Sequence, residues 1–323
     1  MRESILRILQ QEGHISGETL GHRLGISRTA VWKHVNTLRR MGYEISSSPR
    51  SGYFFIRSPD LLLPDEINCG LSTSFMGRHI LYSTEVTSTQ DVAEQAARRG
   101  DREGTVAIAE RQTRGRGRKG RQWVSPVNDG IYLSAVLRPP LPPERALQIP
   151  LIAGVAAARA IKAKTQVVPA LKWPNDIMLN GKKAGGILTE MSSDIDEVHH
   201  VILGIGLNVN VLKSHLPAPL QKTATSLIDV CGRRISRVKL VQCFLAELES
   251  IYREFLTFGF GSIREEWLSF SNTIGSEVRV VSGSDTIEGM ALDIDKDGFL
   301  LVKEPGGHVA KIVSGDVFPP TDR

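Results

Sequence analysis

The chain has 323 residues, a net charge of +5 and a pI near 9.1. Its hydrophobic content of 41% and charged content of 23% are ordinary for a globular protein, and the length suits two or three domains. No apolar run approaches a membrane span, Glu3 and polar residues break up the one candidate signal segment, Ile5–Leu9, and the scattered Cys69, Cys231 and Cys243 support neither a disulfide framework nor zinc, so a reducing cytoplasm is expected.

Apolar residues at Ile5, Leu6, Ile8 and Leu9 predict a first helix over 2–11. Ser16 can cap a second helix running through Leu20 to Leu24, and Gly25-Ile26 makes a tight turn. Ser27 caps a third helix with Ala30, Val31, Val35, Leu38 and Met41 inward, ended by Gly42. Two strands, Tyr43–Ile45 and Tyr53–Ile56, then flank a Ser-Pro-Arg-Ser-Gly tip. The pattern is a winged helix-turn-helix. Its third helix offers Ser27, Arg28, Thr29, Lys33 and His34 to base edges, and Arg50 at the wing tip can reach a phosphate. Over residues 1–60, nine Lys/Arg stand against five Asp/Glu. Trp32 is expected to pack. The rival use of such a unit is protein contact. A single unit reads a half-site, so DNA binding predicts a dimer.

Residues 58–64 form a linker. Ile80–Val86 predicts a strand, and Ser88 caps a helix through Arg99. Ser88 and Thr89 can serve that cap or offer hydroxyls to a ligand. Strands at Thr105–Ala109 and Gly130–Leu137 flank the loop Gln112-Thr-Arg-Gly-Arg-Gly-Arg-Lys-Gly-Arg121. Its arginines and glycines suit a phosphate or carboxylate, or nucleic acid. Gly115, Gly117 and Gly120 mimic a dinucleotide fingerprint, yet Gln122–Pro126 opens no helix. The Walker A spacing also fails, because Arg121-Gln122 replaces Lys-Ser/Thr.

Residues 149–164 predict a helix packed on the sheet. The Asn180-Gly181 turn joins two strands that gather Lys172, Asn175, Asp176, Lys183 and Glu190 beside Trp173. Lysine offers a point charge to phosphate and Asp can hold Mg²⁺; a solvated hairpin and a turn aspartate are the plainer readings. Val201–Asn210 is a strand whose glycines admit a close neighbour. His199-His200 are expected to flank it. No hydrolase motif is present. Cations, glycines and a carboxylate fit adenylyl or phosphoryl transfer better than acyl-enzyme chemistry. From Asn272, short strands at 277–281, 286–292, 299–302 and 309–313 predict a small antiparallel barrel.

Gln112–Gly120, Lys172-Trp-Pro-Asn-Asp176, Lys183-Ala-Gly-Gly-Ile-Leu188 and Gly204-Ile-Gly-Leu-Asn208 together resemble the biotin protein ligases, and the N-terminal unit resembles the bifunctional ligase–repressor form. The resemblance implies an α+β multidomain chain. Its parts would be a winged helix-turn-helix over 1–62, a mixed α/β ligase domain with a class II synthetase-like sheet over 63–270, and an SH3-like barrel over 271–323. It implies MgATP activation of biotin to biotinyl-5′-AMP and transfer to a lysine of the biotin carboxyl carrier protein of acetyl-CoA carboxylase. An adenylate-bound homodimer would repress biotin genes at operator DNA, with no membrane role.

Carried over by motif, Lys183, Arg118 and Arg116 are the catalytic cations. Ser88, Thr89, Gln90, Gln112, Gly115, Arg116, Lys183, Gly186, Gly204 and Gly206 would hold biotin. Arg118, Arg121, Asn175 and Asn208 would hold the adenylate, and Asp176 would face Mg²⁺. Gln90 stands where the family often has Asn. Residues 211–226 lack an aromatic, so Pro217, Pro219 and Leu220 are expected to cover the adenine. The competing readings are a ligand-sensing repressor without ligase activity, a ligase whose winged helix no longer binds DNA, and a lipoate ligase.

Overall fold

The computed structural model describes residues 1–48 and 52–320. In the N-terminal unit α1 (Arg2–Glu12), α2 (Gly17–Leu24) and α3 (Arg28–Arg40) surround a core of Ile5, Leu6, Leu9, Leu20, Val31, Val35 and Leu38. Ser16 and Ser27 accept the Thr19 and Ala30 amides and start α2 and α3. The close approach in the helix-turn-helix falls at Gly21, where a Cβ would lie 2.7 Å from the Ile26 carbonyl. The wing strands β2 (Glu44–Ser48) and β3 (Gly52–Arg57) are joined by β1 (His14–Ile15), which is too short to show a period in sequence. Trp32 does not pack: it is 54% exposed, one turn from Arg28 and Asn36. Ala30 and Met41 reach only the fringe of the core.

The linker is no free tether. Leu62 belongs to the central core and Leu63 to the winged-helix core. Helix α4 (Pro64–Cys69) follows directly, with proline at its first turn.

The central sheet runs β4-β5-β8-β12-β11-β10-β9. Its strands are β4 (Ile80–Val86), β5 (Val106–Gln112), β8 (Gly130–Leu137), β9 (Ala170–Lys172), β10 (Asp176–Leu179), β11 (Lys182–Ser193) and β12 (Val198–Asn208), with β6 (Gly115–Arg116) and β7 (Gln122–Trp123) apart as a small hairpin. Among the described strands of this sheet, β4 and β5 pair in parallel and the other neighbours are antiparallel. Strand alternation sends Val106, Ile108, Leu133 and Ile205 to one face and Ala107, Val136 and Ile202 to the other. Helix α5 (Thr89–Arg98) covers the second face. The first face carries α6 (Pro143–Ala146), α7 (Ile149–Thr165), α8 (Leu227–Cys231), α9 (Arg237–Phe258) and α10 (Gly261–Phe270). Contrary to the sequence expectation, Pro143–Thr165 is long and apolar enough to cross a membrane; most of it is buried, because α7 lies between the sheet and α9. His199 and His200 lie within β12, and His200 is buried against Glu94 at 2.8 Å.

Glu249 of α9 accepts the Ser74, Phe75 and Met76 amides at 2.9–3.0 Å. Burial pushes its carboxyl up, but those amides and Arg253 outweigh burial and hold it below the ordinary glutamate range. Such a carboxylate stabilises fully above its unfolded pKa and loses that contribution as pH falls through the folded one. Glu249→Gln is expected to cost about 1–3 kcal/mol near neutral pH. The cost should shrink in acid, read as urea midpoints at both conditions.

The C-terminal strands β13 (Glu277–Ser282), β14 (Asp285–Ile294), β15 (Leu300–Lys303), β16 (Val309–Ile312) and β17 (Asp316–Phe318) form an antiparallel sheet of order β16-β15-β14-β13-β17. β17 was not expected. The sheet docks on the central domain: Trp173 Nε1 donates to the Gly298 carbonyl at 3.1 Å, and Thr273 Oγ1 accepts the Trp173 amide at 3.0 Å. Val280, Leu300 and Val302 continue the central core without a break.

Candidate functional site

A cleft of about 780 Å³ opens at the ends of the central strands. One end is polar, neutral and closed. Ser88 caps α5 through the Gln90 amide, and Thr89 and Gln90 follow in its first turn; all three are buried. Gln112, at the end of β5, accepts the Thr89 amide at 2.8 Å and gives its Nε2 to Ser125 Oγ at 3.1 Å. Thr89 Oγ1 meets Ser134 Oγ at 2.8 Å. Gln90 Nε2 donates to the Leu188 carbonyl at 3.3 Å, while its buried Oε1 has no partner among the described residues. That oxygen faces Gly204, where a Cβ would stand 3.1 Å away. The cap and the ligand-facing reading of this segment are thus compatible: Ser88 caps, and the amide of Gln90 is turned inward.

The cationic segment is a short β-hairpin rather than an unstructured loop. Gly115 pairs with Trp123 and Arg116 with Gln122, and Lys119 and Gly120 turn the tip with φ of 55° and 73°. Gly115 does not line the cleft; it packs behind the wall, where a Cβ would be 2.6 Å from the Trp123 carbonyl. Arg116 forms ion pairs with Asp91 and, at 2.9 Å, with Glu190. Glu190 therefore sits with Arg116 and not with Lys183 as the sequence suggested. Arg118 donates to the Gly315 carbonyl at 3.2 Å and to Asn175 Oδ1 at 3.4 Å. Burial lowers its guanidinium and Asp316 opposes that shift. Asp316 of β17 also pairs with Lys119 at 3.2 Å and Arg121 at 2.5 Å.

The other end of the cleft is charged. The Asn180-Gly181 turn, with φ of 48° and 74°, closes the β10–β11 hairpin and sets Asp176 opposite Gly186. Lys172 pairs with Asp176 in the β9–β10 register. Lys183 Nζ lies 2.5 Å from Asp176 Oδ1 and 5.8 Å above the Trp123 ring. Burial pushes the Lys172 ammonium down, opposed by Asp176. Asn175 gives its amide to the Ile187 carbonyl at 2.5 Å, and Asn208 gives its own to the Thr225 carbonyl at 3.0 Å. The segment after β12 is stitched to β11 where the Lys183 amide donates to Thr223 and Thr225 donates back, both at 2.9 Å. Leu216 and Leu220 line the cleft there; Pro217 and Pro219 are exposed and do not, which corrects the expected cover.

The fold thus brings Ser88, Thr89, Gln90, Gln112, Gly186, Gly204, Gly206, Asn175, Asp176, Lys183, Asn208, Arg116, Arg118 and Arg121 to one cleft. Several contributors escaped the sequence, among them Ser125, Ser134, Trp123 and Asp316. Trp123 lies over Gly206, and its only sequence signal was an aromatic directly after the cationic run. Asp316 gave none, being remote in the chain and on a three-residue strand. On the N-terminal unit, Ser27, Arg28, Thr29 and Lys33 are exposed along α3 and His34 is half-buried at its flank. Arg50 lies outside the described residues.

Residues 81–208 match the model of the biotin/lipoate A/B protein ligase family, residues 2–54 that of an HTH domain, and residues 273–318 that of the biotin protein ligase C terminal domain. The chain is 41% identical to the bifunctional ligase/repressor BirA of Bacillus spizizenii over 98% of each chain. It is 30% identical to the protein of the same name from Escherichia coli, over 90% of this chain and 88% of that one. The biotin protein ligase from Aquifex aeolicus, solved in complex with biotin and ATP, matches with a TM-score of 0.65 and 30% identity, covering 75% of this chain and 98% of that one. With full-length relatives, three matching domain models and a cleft that carries the motif residues, the chain belongs to the biotin protein ligase family, in the form that bears an N-terminal helix-turn-helix.

Proposed function

We propose that the chain activates biotin with ATP, transfers it to a carrier-protein lysine, and represses transcription in its adenylate-bound form. One observation carries the ligase half: a closed, neutral, hydrogen-bonding pocket opens directly onto a cluster of cations in the same cleft. The closed end suits a uncharged ureido ring, and the charged end suits a carboxylate meeting a triphosphate. A carboxylate oxygen of biotin attacks the α-phosphorus, pyrophosphate leaves, and biotinyl-5′-AMP forms. A neutral lysine amine of the acceptor then attacks the acyl carbon, loses a proton, and releases AMP. The acceptor assigned by resemblance is the biotin carboxyl carrier protein of acetyl-CoA carboxylase.

In this reading Ser88, Thr89, Gln90 and Gln112 hold the ureido ring, while Gly186, Gly204 and Gly206 keep the floor low beneath biotin. Gly115 supports the hairpin from behind. Lys183 stabilises charge between carboxylate and α-phosphate, with Arg118, Arg121, Asn175 and Asn208 around the adenylate. Arg116 acts from a position already fixed by Asp91 and Glu190. Mg²⁺ fits one way: Asp176 stands beside Lys183 at the charged end, where it would hold the ion, and the ion would offset phosphate charge. Residues 1–62, 63–270 and 271–323 are the working units, although Leu62 and Leu63 divide between two cores.

The test is pyrophosphate release from MgATP by the purified chain without acceptor. Biotin-dependent release that stalls near one equivalent per site supports adenylate formation and retention. No release from folded protein would promote the ligand-sensing repressor, a reading that leaves Lys172, Lys183 and Arg118 without a purpose.

The exposed Ser27, Arg28, Thr29 and Lys33 support operator binding by α3. Arg28→Ala is expected to weaken operator binding by about 1–3 kcal/mol and to leave ligation unchanged, measured by electrophoretic shift beside a biotinylation assay. Adenylate-induced homodimerisation would pair two winged helices on a palindrome. Sedimentation with and without adenylate tests it; an unchanged monomer fraction removes it.

A further inference from the structure

The linker leaving the winged helix is bonded to the strand that feeds the ligand cleft. Glu110 of β5 and Arg237 of α9 form an ion pair at 2.7 Å, with side chains 1% and 0% exposed. The other Glu110 oxygen accepts the Leu62 amide at 2.7 Å. Arg237 donates to the Gly130 carbonyl at 3.1 Å and also to the Asp60 carbonyl, and lies 3.4 Å from the Asp60 carboxylate. Arg234 holds that carboxylate at 2.7 Å and reaches Asp129 at 4.0 Å. Asp129 pairs with His215 at 2.7 Å, and its carbonyl accepts the Asn210 amide at 2.7 Å.

Three segments therefore meet at one polar node. They are the linker at 60–62, the feet of the cationic hairpin at Glu110 and 129–130, and the root of the segment after β12 at Asn210 and His215. Two of the three reach the cleft: β5 ends in Gln112, and the segment after β12 brings Leu216 and Leu220. A buried guanidinium–carboxylate pair holds only while its geometry and remaining hydrogen bonds are kept. A shift of the β5 end must then be followed by the linker or break the pair. Tyr82 of β4, beside Glu110, packs against both the central and the winged-helix cores, so it adds an apolar contact along the same route.

We propose that Glu110 and Arg237 are positioning residues shared by the two activities, and that Asp60, held by Arg234 and Arg237, passes the state of the cleft to the DNA-binding unit within one chain. Ligand that shifts the hairpin or the segment after β12 from the arrangement bonded here moves this node and with it the winged helix. The route runs through residues of a single chain. It rests on the ligase–repressor reading above. Linkage makes it reciprocal: operator DNA tightens adenylate binding by the factor by which adenylate tightens operator binding.

The full-length double variant Asp60→Ala/Arg234→Ala cuts the linker side of the node. Both side chains are at least half exposed, and the Glu110–Arg237 pair and the cleft stay in place. The gain in operator affinity on adding biotinyl-5′-AMP is measured for wild type and variant by electrophoretic shift, with sedimentation to match their dimer fractions. Biotin KM and the rate of pyrophosphate release should be unchanged, while the gain falls by about threefold or more, the scale of coupling changes carried by side chains between sites. Glu110→Gln, which keeps the shape and weakens the pair, should lose the gain and raise biotin KM together. A full gain in the double variant at equal dimer fraction overturns the proposal, as does a raised biotin KM in that variant. No gain in wild type sinks the repressor reading itself, which separates the two failures.

Discussion

Lys183→Ala should slow biotin-dependent pyrophosphate release by roughly a hundredfold to a thousandfold, the usual loss when one fixed group facing developing charge is removed. Its ammonium stands 2.5 Å from Asp176, at the point where the neutral pocket gives way to the charged end of the cleft. Attack by a carboxylate on a phosphate brings two anions together, and a cation at that point lowers the barrier more than it lowers the ground state. Lys172 cannot take over, because its place on β9 lies on the far side of Asp176 from Lys183. The fold should survive. Lys183 is 37% exposed and its pair with Asp176 is only partly shielded, so truncation should change stability by less than about 1 kcal/mol. Release kinetics and a thermal melt on the same preparation check both halves. Wild-type release by the variant would mean that charge is stabilised elsewhere in the cleft.

What could be read from sequence follows the range of the interactions. Ser16, Ser27 and Ser88 cap helices through amides two or three residues ahead, and the Asn180-Gly181 turn needs only its own dihedrals. Such local devices are visible in a linear pattern. The sheet order is not local, yet the motif residues sit at strand ends and the entry to a hairpin, so correct strand assignments carried most of the cleft with them. Failures have the opposite character. Asp316 meets Arg121 through a contact between two domains, and no periodicity reports that. Glu190 shares β11 with Lys183, yet its carboxylate pairs with Arg116 and does not line the cleft. Trp32 broke the expectation that a tryptophan in a small domain packs, because Val31, Val35 and Leu38 already fill the inner face of α3. Residues 58–64 have the prolines of a linker, but Leu62 and Leu63 anchor them in two cores, a division that only the assembled tertiary structure can make.

Gly206→Ala is expected to raise biotin KM by roughly fivefold to a hundredfold, the range set by the 1–3 kcal/mol that overpacking usually costs. A Cβ at Gly206 would lie 2.5 Å from Trp123 Cε2 and 2.7 Å from its Nε1, closer than side chains tolerate. Gly206 faces Gly186 across β11 and β12, and a Cβ on Gly186 would also touch the indole, at 3.4 Å. The two glycines make the seat on which the ring lies. The backbone itself would accept alanine, since Gly206 is not among the residues of positive φ. The cost is therefore one of space, and it falls on Trp123, which must lift and carry the hairpin and the Lys183 contact with it. Stability should change little, because the ring is outside the central core and sits on a two-strand hairpin. A double-mutant cycle with Trp123→Ala decides what the glycine is for. If Gly206→Ala costs nothing further once the indole is gone, the glycine exists to seat the tryptophan, and the ligand meets the ring. An equal cost in both backgrounds would mean that biotin itself lies on the Gly206 backbone and that Trp123 moves aside when biotin enters.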